Sequence, residues 1–96
     1  MTVYAIAMIN MRNREWLPNY SDKADVLIAK YGGRYVVRGV QPEQIEGKNI
    51  LPDIIVILEF PSLETAKAWH SDPDYQDLIE VRNKGSDTDF LLVQGV

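Results

Sequence analysis

Residues 53–60, Asp-Ile-Ile-Val-Ile-Leu-Glu-Phe, set five consecutive aliphatic side chains from Ile54 to Leu58 in one strand-like run that Pro61 closes. Strand side chains alternate between faces, so this strand is apolar on both sides. A chain of 96 residues is one domain by size, residues 1–96, with a modest core. Two helices can cover only one face of a four-stranded sheet. Leaving Ile55 and Ile57 in water forgoes roughly 1.5–3 kcal/mol each. Single exposed aliphatics are ordinary, but a contiguous patch calls for a cover. A second copy packed sheet to sheet supplies it, so a homodimer is expected.

The second constraint is Tyr31-Gly32-Gly33-Arg34. A glycine just past a helix end takes the left-handed conformation cheaply, so the preceding helix stops at about Tyr31. A strand then runs from Arg34 to about Arg38. Alternation puts Arg34, Val36 and Arg38 on one face and Tyr35 and Val37 on the other. Before the glycines, Trp16, Tyr20, Ala24, Leu27, Ile28 and Tyr31 recur at helical spacing, with Asn13 as N-cap. Pro18 either follows a separate first turn or kinks the helix. Val3 to Met11 reads as the first strand, with Tyr4, Ile6, Met8 and Asn10 opposite Val3, Ala5, Ala7 and Ile9.

Between Val40 and Pro52 the sequence reads as a turn or flap with a short strand around Gln44 to Glu46. Ser62 opens a helix, although a capping box would want an acid at Thr65. Ser71-Asp72-Pro73 breaks this helix and restarts it, since Asp72 can cap and Pro73 fits the first helical position. Gly85-Ser86-Asp87 reads as a turn and Phe90 to Val96 as the last strand. The order is βαββαβ.

Ten basic and fourteen acidic side chains give a net charge of -4, which disfavours nonspecific attraction to nucleic acid or to an anionic membrane. The third strand also lacks the exposed aromatics of RNA-binding sheets that share this element order. Without cysteine there is no disulfide framework or thiolate metal site, and no cofactor is implied. The longest apolar run is far short of the ~18 residues of a membrane span, and a soluble, cytoplasmic protein is expected.

Several motifs together resemble the small bacterial domain-of-unknown-function family thirteen-thirty. They are Tyr31-Gly32-Gly33-Arg34 with Arg38-Gly39, Glu46-Gly47, Glu59-Phe60-Pro61-Ser62, Ser71-Asp72-Pro73-Asp74-Tyr75, Arg82, and the closing Val93-Gln94-Gly95-Val96. The departures are Val40, where that family often has glycine, and Trp69-His70, where it often has Phe-Tyr. The resemblance implies an α+β, ferredoxin-like fold with a four-stranded antiparallel sheet and helices on one face. It also implies pairing into a dimeric α+β barrel with a cleft between sheet and helices in each protomer. It implies no reaction.

Six residues are candidates for lining that cleft: Arg38, Glu59, Asn10, His70, Tyr75 and Arg82. Arg38 offers a guanidinium fork to a carboxylate or phosphate, or else forms an ion pair with Glu59. His70, the one histidine, reads on its own as a solvated cation near a helix end. Tyr75 is a core aromatic with a polar tip or a proton donor. Arg82 reaches the cleft or pairs on the helix surface with Asp77, Glu80 or Asp87. Asn10, Trp69 and His70 resemble the set used by heme-degrading monooxygenases of this fold. Adjacency of Trp69 and His70 nevertheless points their side chains apart, so heme is not expected. The reading is a homodimer that binds a small polar or anionic molecule, with a cofactor-free monooxygenase or isomerase as a special case. The alternative is a structural or regulatory dimerisation module.

Overall fold

In the computed structural model, which describes residues 1–96, the chain runs β1 (Val3–Met11), α1 (Leu17–Lys30), β2 (Arg34–Val40), β3 (Ile54–Phe60), α2 (Leu63–Ser71), α3 (Pro73–Asn83) and β4 (Ser86–Gln94). The strands form one antiparallel sheet in the order β2-β3-β1-β4. Val3, Ala5, Ala7 and Ile9 of β1 are buried towards the helices, as alternation requires. Their small alanines let α2 and α3 approach, and the core closes around Leu58, Phe60, Trp69, Tyr75 and Leu78. No helix is long and apolar enough to cross a membrane.

Helix α1 ends as the glycine pair predicts. The Gly33 N–H donates to Ile28 and the Gly32 N–H to Ala29, with Gly32 at φ +76°. A Cβ on Gly33 would lie 2.5 Å from the Phe60 ring, so the second glycine is required by packing. At its other end α1 begins at Leu17, not after Asn13. The Asn13 Oδ1 instead accepts from the Glu15 N–H in a separate turn, which leaves Pro18 inside the first helical turn, where no N–H is needed.

The capping box of α2 forms without an acid, because the Thr65 hydroxyl accepts from the Ser62 N–H while Ser62 Oγ accepts from the Thr65 N–H. Asp72 separates α2 from α3 and ties them to α1. Its buried carboxylate accepts from Tyr31 Oη at 2.6 Å, the Asp74 N–H at 2.8 Å and Lys30 Nζ at 3.2 Å. These donors, Tyr31 foremost, hold its pKa below the usual carboxylate value.

Three expectations are corrected. No strand forms around Gln44 to Glu46, and the whole connection between β2 and β3 is irregular. Strand β4 begins at Ser86, not Phe90, because Met11 to Ile9 continue the β1 ladder opposite Ser86 to Thr88. Finally, Arg34 and Arg38 do not share a face. Val36 and Gly39, the latter at φ +71°, are extra residues in the β2–β3 ladder, and each bulge shifts the alternation by one. Arg34 therefore sits on the open face opposite Glu59, while Arg38 turns to the helix side opposite Val56.

The open face carries Tyr4, Ile6 and Met8 of β1, Val37 and Val40 of β2, Ile55 and Ile57 of β3, and Leu91 and Val93 of β4. All three helices lie on the other face, so these aliphatics have no cover within one chain.

Candidate functional site

The six candidates separate into three places. Glu59 lies on the open face and pairs with Arg34, not Arg38. Asn10 is on that same face at the far end of β1, its Oδ1 accepting from the Asp53 N–H at 3.2 Å. Arg38 is at the β2 edge, where it donates to Asp25 Oδ2 at 2.6 Å and lies over the Tyr35 ring, 4.1 Å from its centre. Tyr35 Oη donates to the other Asp25 oxygen at 2.9 Å. Burial and this bond push the Tyr35 phenol far above its ordinary pKa. This trio satisfies itself, so Arg38 is not a free anion receiver.

His70, Tyr75 and Arg82 do converge, under β1 and β4. Tyr75 and Arg82 stand two turns apart on α3 and so face the same way. Arg82 is 5 % exposed, which overturns the surface ion pair with Asp77, Glu80 or Asp87. Its Nη1 donates to Tyr75 Oη at 3.1 Å, and Tyr75 Oη shares a hydrogen bond of 2.7 Å with Tyr20 Oη. Burial, with Tyr20 adding to it, pushes the Tyr75 phenol far above its ordinary pKa, so it stays protonated. The guanidinium carbon of Arg82 lies 5.7 Å from the centre of the Phe90 ring.

No carboxylate reaches Arg82, and its Nε is buried without a hydrogen-bond partner. A second buried donor, the Trp69 indole Nε1, is also unpartnered. The Trp69 ring lies tilted at 4.3 Å from Tyr75 and edge-on at 5.6 Å from Phe90, so both orphan donors belong to groups that pack against Phe90. An unmet buried donor costs about 1–3 kcal/mol, and a buried cation without an anion costs more.

His70 is half-buried, its ring 5.8 Å from Trp69, 5.9 Å from Tyr75 and 6.5 Å from Phe90, not the solvated cation its position suggests. Burial first, and the positive charge of Arg82 second, lower its pKa below the ordinary value. It is neutral at pH 7. Trp69, His70 and Phe90 of this cluster, with Lys67, Ser71, Leu91 and Leu92, line a cavity of about 270 Å³ beneath the β4 edge. A larger concavity of about 860 Å³ between α1 and α3 gathers none of the six candidates and is an open groove of mixed charge. Trp69 lines the smaller one, and Arg82, which does not line it, packs against Phe90 of its wall; this makes it the candidate site.

Tyr20 and Phe90 join the site although sequence reading placed them only as helix or strand apolar positions, and Trp69 joins it although the sequence offers it only as an apolar helix position and as part of the rejected heme set. Tyr20 carried the one usable signal, a hydroxyl on an otherwise apolar helical stripe.

This sheet order, with helices on one face and a polar cluster beneath them, defines a ferredoxin-like α+β protein. The chain belongs to the family described as "Domain of unknown function (DUF1330)", which matches residues 2–96. No curated protein matches the sequence. The fold is similar to that of a protein of unknown function from Rhodopseudomonas palustris, at TM-score 0.79 and 17% identity over 99% of this chain and 82% of that one. It is similar also to a dimeric ferredoxin-like protein of unknown function from Jannaschia sp., at TM-score 0.76 and 12% identity over 99% of this chain and 100% of that one. SnoaB, a cofactor-independent oxygenase from Streptomyces nogalater, is similar at TM-score 0.68 and 8% identity, over 99% and 93% of the two chains.

Proposed function

We propose that this protein is a cytoplasmic homodimer that binds a small anionic molecule between its helices and its sheet, at Arg82, Tyr75, His70 and Trp69. The observation that carries the binding half is Arg82, a buried guanidinium for which the chain supplies no anion. Most buried charges are paired, so a site that keeps an unpaired one is complete only when an anion arrives.

The dimer half rests on the bare aliphatic face and on the connection between β2 and β3, where Ile45 and Ile50 stand 94 % and 98 % exposed. A second copy laid sheet to sheet covers both. That the Jannaschia protein of similar fold is dimeric supports pairing. Cofactor-free catalysis, by analogy with the oxygenase of similar fold, is a special case of this binding reading and needs the bound molecule to be known first.

Native mass spectrometry of the gently purified protein tests both halves. The expected spectrum shows twice the chain mass with a small adduct that disappears in Arg82→Met. A bare monomer at micromolar concentration would sink the reading.

A further inference from the structure

The orphan donors also carry information about what kind of anion fits. We propose, resting on the binding reading above, that the site takes a small, flat monocarboxylic acid, aromatic or conjugated. Its carboxylate is gripped by the Arg82 guanidinium and the Trp69 indole N–H, and its apolar body lies in the cavity beneath the β4 edge.

The charge count comes first. Arg82 is the single buried cation of the cluster, and the groups around it, Tyr75, Tyr20, Trp69 and neutral His70, add donors but no second positive charge. Lys67, the other cation that lines the cavity, is exposed to solvent, so its charge is screened. One cation balances a carboxylate, whereas a phosphate near neutral pH carries up to two negative charges and asks for more.

Donor geometry agrees. A carboxylate has two oxygens in one plane, and the two unpartnered donors sit on side chains that both pack against Phe90, at 5.6 and 5.7 Å from its ring centre, and that both adjoin Tyr75. One oxygen for the Arg82 Nε and one for the Trp69 Nε1 satisfies both orphans at once. Phe90 lines the cavity and packs against Arg82, which does not line it, so the proposed head group needs the Phe90 ring to turn before it reaches the guanidinium.

The walls set the rest of the class. Trp69, Phe90, His70 and Leu92 present ring faces and aliphatic carbon, which suit a planar apolar body. A volume of about 270 Å³ is below the usual range of roughly 300–1,000 Å³ for ligand pockets, so the body is small.

The test titrates the protein with benzoate, sorbate, benzamide and inorganic phosphate, following the two indole N–H resonances by NMR, with Trp16→Phe assigning the Trp69 peak. The expected result is a saturable shift of the Trp69 peak with benzoate or sorbate and none with benzamide or phosphate. Arg82→Met should weaken the carboxylate at least tenfold, the loss of one charge-assisted hydrogen bond. Arg82→Lys, which keeps the charge but not the fork, covers the case in which the Met variant does not fold, and should weaken it too.

Benzamide binding as well as benzoate, or a carboxylate response untouched by both Arg82 variants, overturns the proposal. If phosphate binds through Arg82 and no carboxylate does, this inference falls while the anion-binding reading stands. If neither anion binds and Arg82→Met dissociates the dimer, a carboxylate of the second copy is the counter-ion and both fall.

Discussion

Two tyrosine–arginine pairs sit on the helix side of this sheet, one at each edge, and they differ in a single group. At the β2 edge, Tyr35 and Arg38 both donate to Asp25, and the trio stands half in water. At the β4 edge, Tyr75 and Arg82 are buried, Tyr75 turns to Tyr20, and no carboxylate is present. The chain supplies the anion where solvent makes it least necessary and withholds it where its absence is most expensive. A structural ion pair would be arranged the other way round. This difference is what supports placing the proposed anion site at the second pair.

The sharpest way to break the comparison is to replace Arg82 by methionine, which has similar length and no charge. Without ligand, removing an uncompensated buried cation should stabilise the protein by about 1–4 kcal/mol, read from the urea midpoint. The negative end of α3, near which Arg82 sits, offsets only about 0.3–1 kcal/mol of the burial cost. A loss of about 3–5 kcal/mol would instead mean that Arg82 has a carboxylate partner in the assembled protein, and the contrast with Arg38 would vanish.

His70 gives a second and smaller reading of the same buried charge. Its folded pKa is lowered, so between that value and about 6.5 the unfolded chain binds more protons than the folded one. Stability from this group is therefore complete above about pH 6.5 and is lost as pH falls towards the folded value, by at most about 1.4 kcal/mol per pH unit. Urea midpoints between pH 7.5 and pH 5 should show that fall. In Arg82→Met the His70 pKa, followed by NMR, should move up. If it does not move, the guanidinium is too far away or too well screened to shape the site.

The buried pair was partly legible before any coordinates. Tyr75, Leu78 and Arg82 follow steps of three and four along α3, which is the spacing of an inward stripe, and all three are buried. From the sequence, Arg82 either reaches the cleft or pairs on the helix surface, and burial excludes the second. The periodicity was the better guide, since Arg82 is buried and meets no carboxylate of its own chain. The exposed pair was not legible. The face that Arg38 takes depends on the bulge at Val36, which nothing in the sequence marks; the bulge that Gly39 hints at lies beyond Arg38. The start of β4 was hidden for a different reason: Ser86-Asp87-Thr88-Asp89 is polar like a turn, yet an edge strand tolerates polar residues that a central one would not. The helix stop at Gly32-Gly33, the break at Asp72-Pro73 and the two-sided β3 depended on local chemistry alone, and these were read correctly.

The smallest effect is expected at the β2 edge, and it sharpens the comparison from the satisfied side. Asp25→Asn removes the anion that Tyr35 and Arg38 share while keeping the shape and a carbonyl acceptor. The Arg38 side chain is 60% exposed and that of Asp25 35%, so water can solvate the freed guanidinium, and the cost should stay within about 0.2–1 kcal/mol. Salt should reduce it further, since exposed charges are screened over roughly 8–10 Å at physiological ionic strength. Urea midpoints at low and high salt measure both terms. A salt-independent loss well above 1 kcal/mol would show that Asp25 anchors β2 to α1 as a buried group does. The two edges would then differ in where their anion comes from, and no longer in how much they need one.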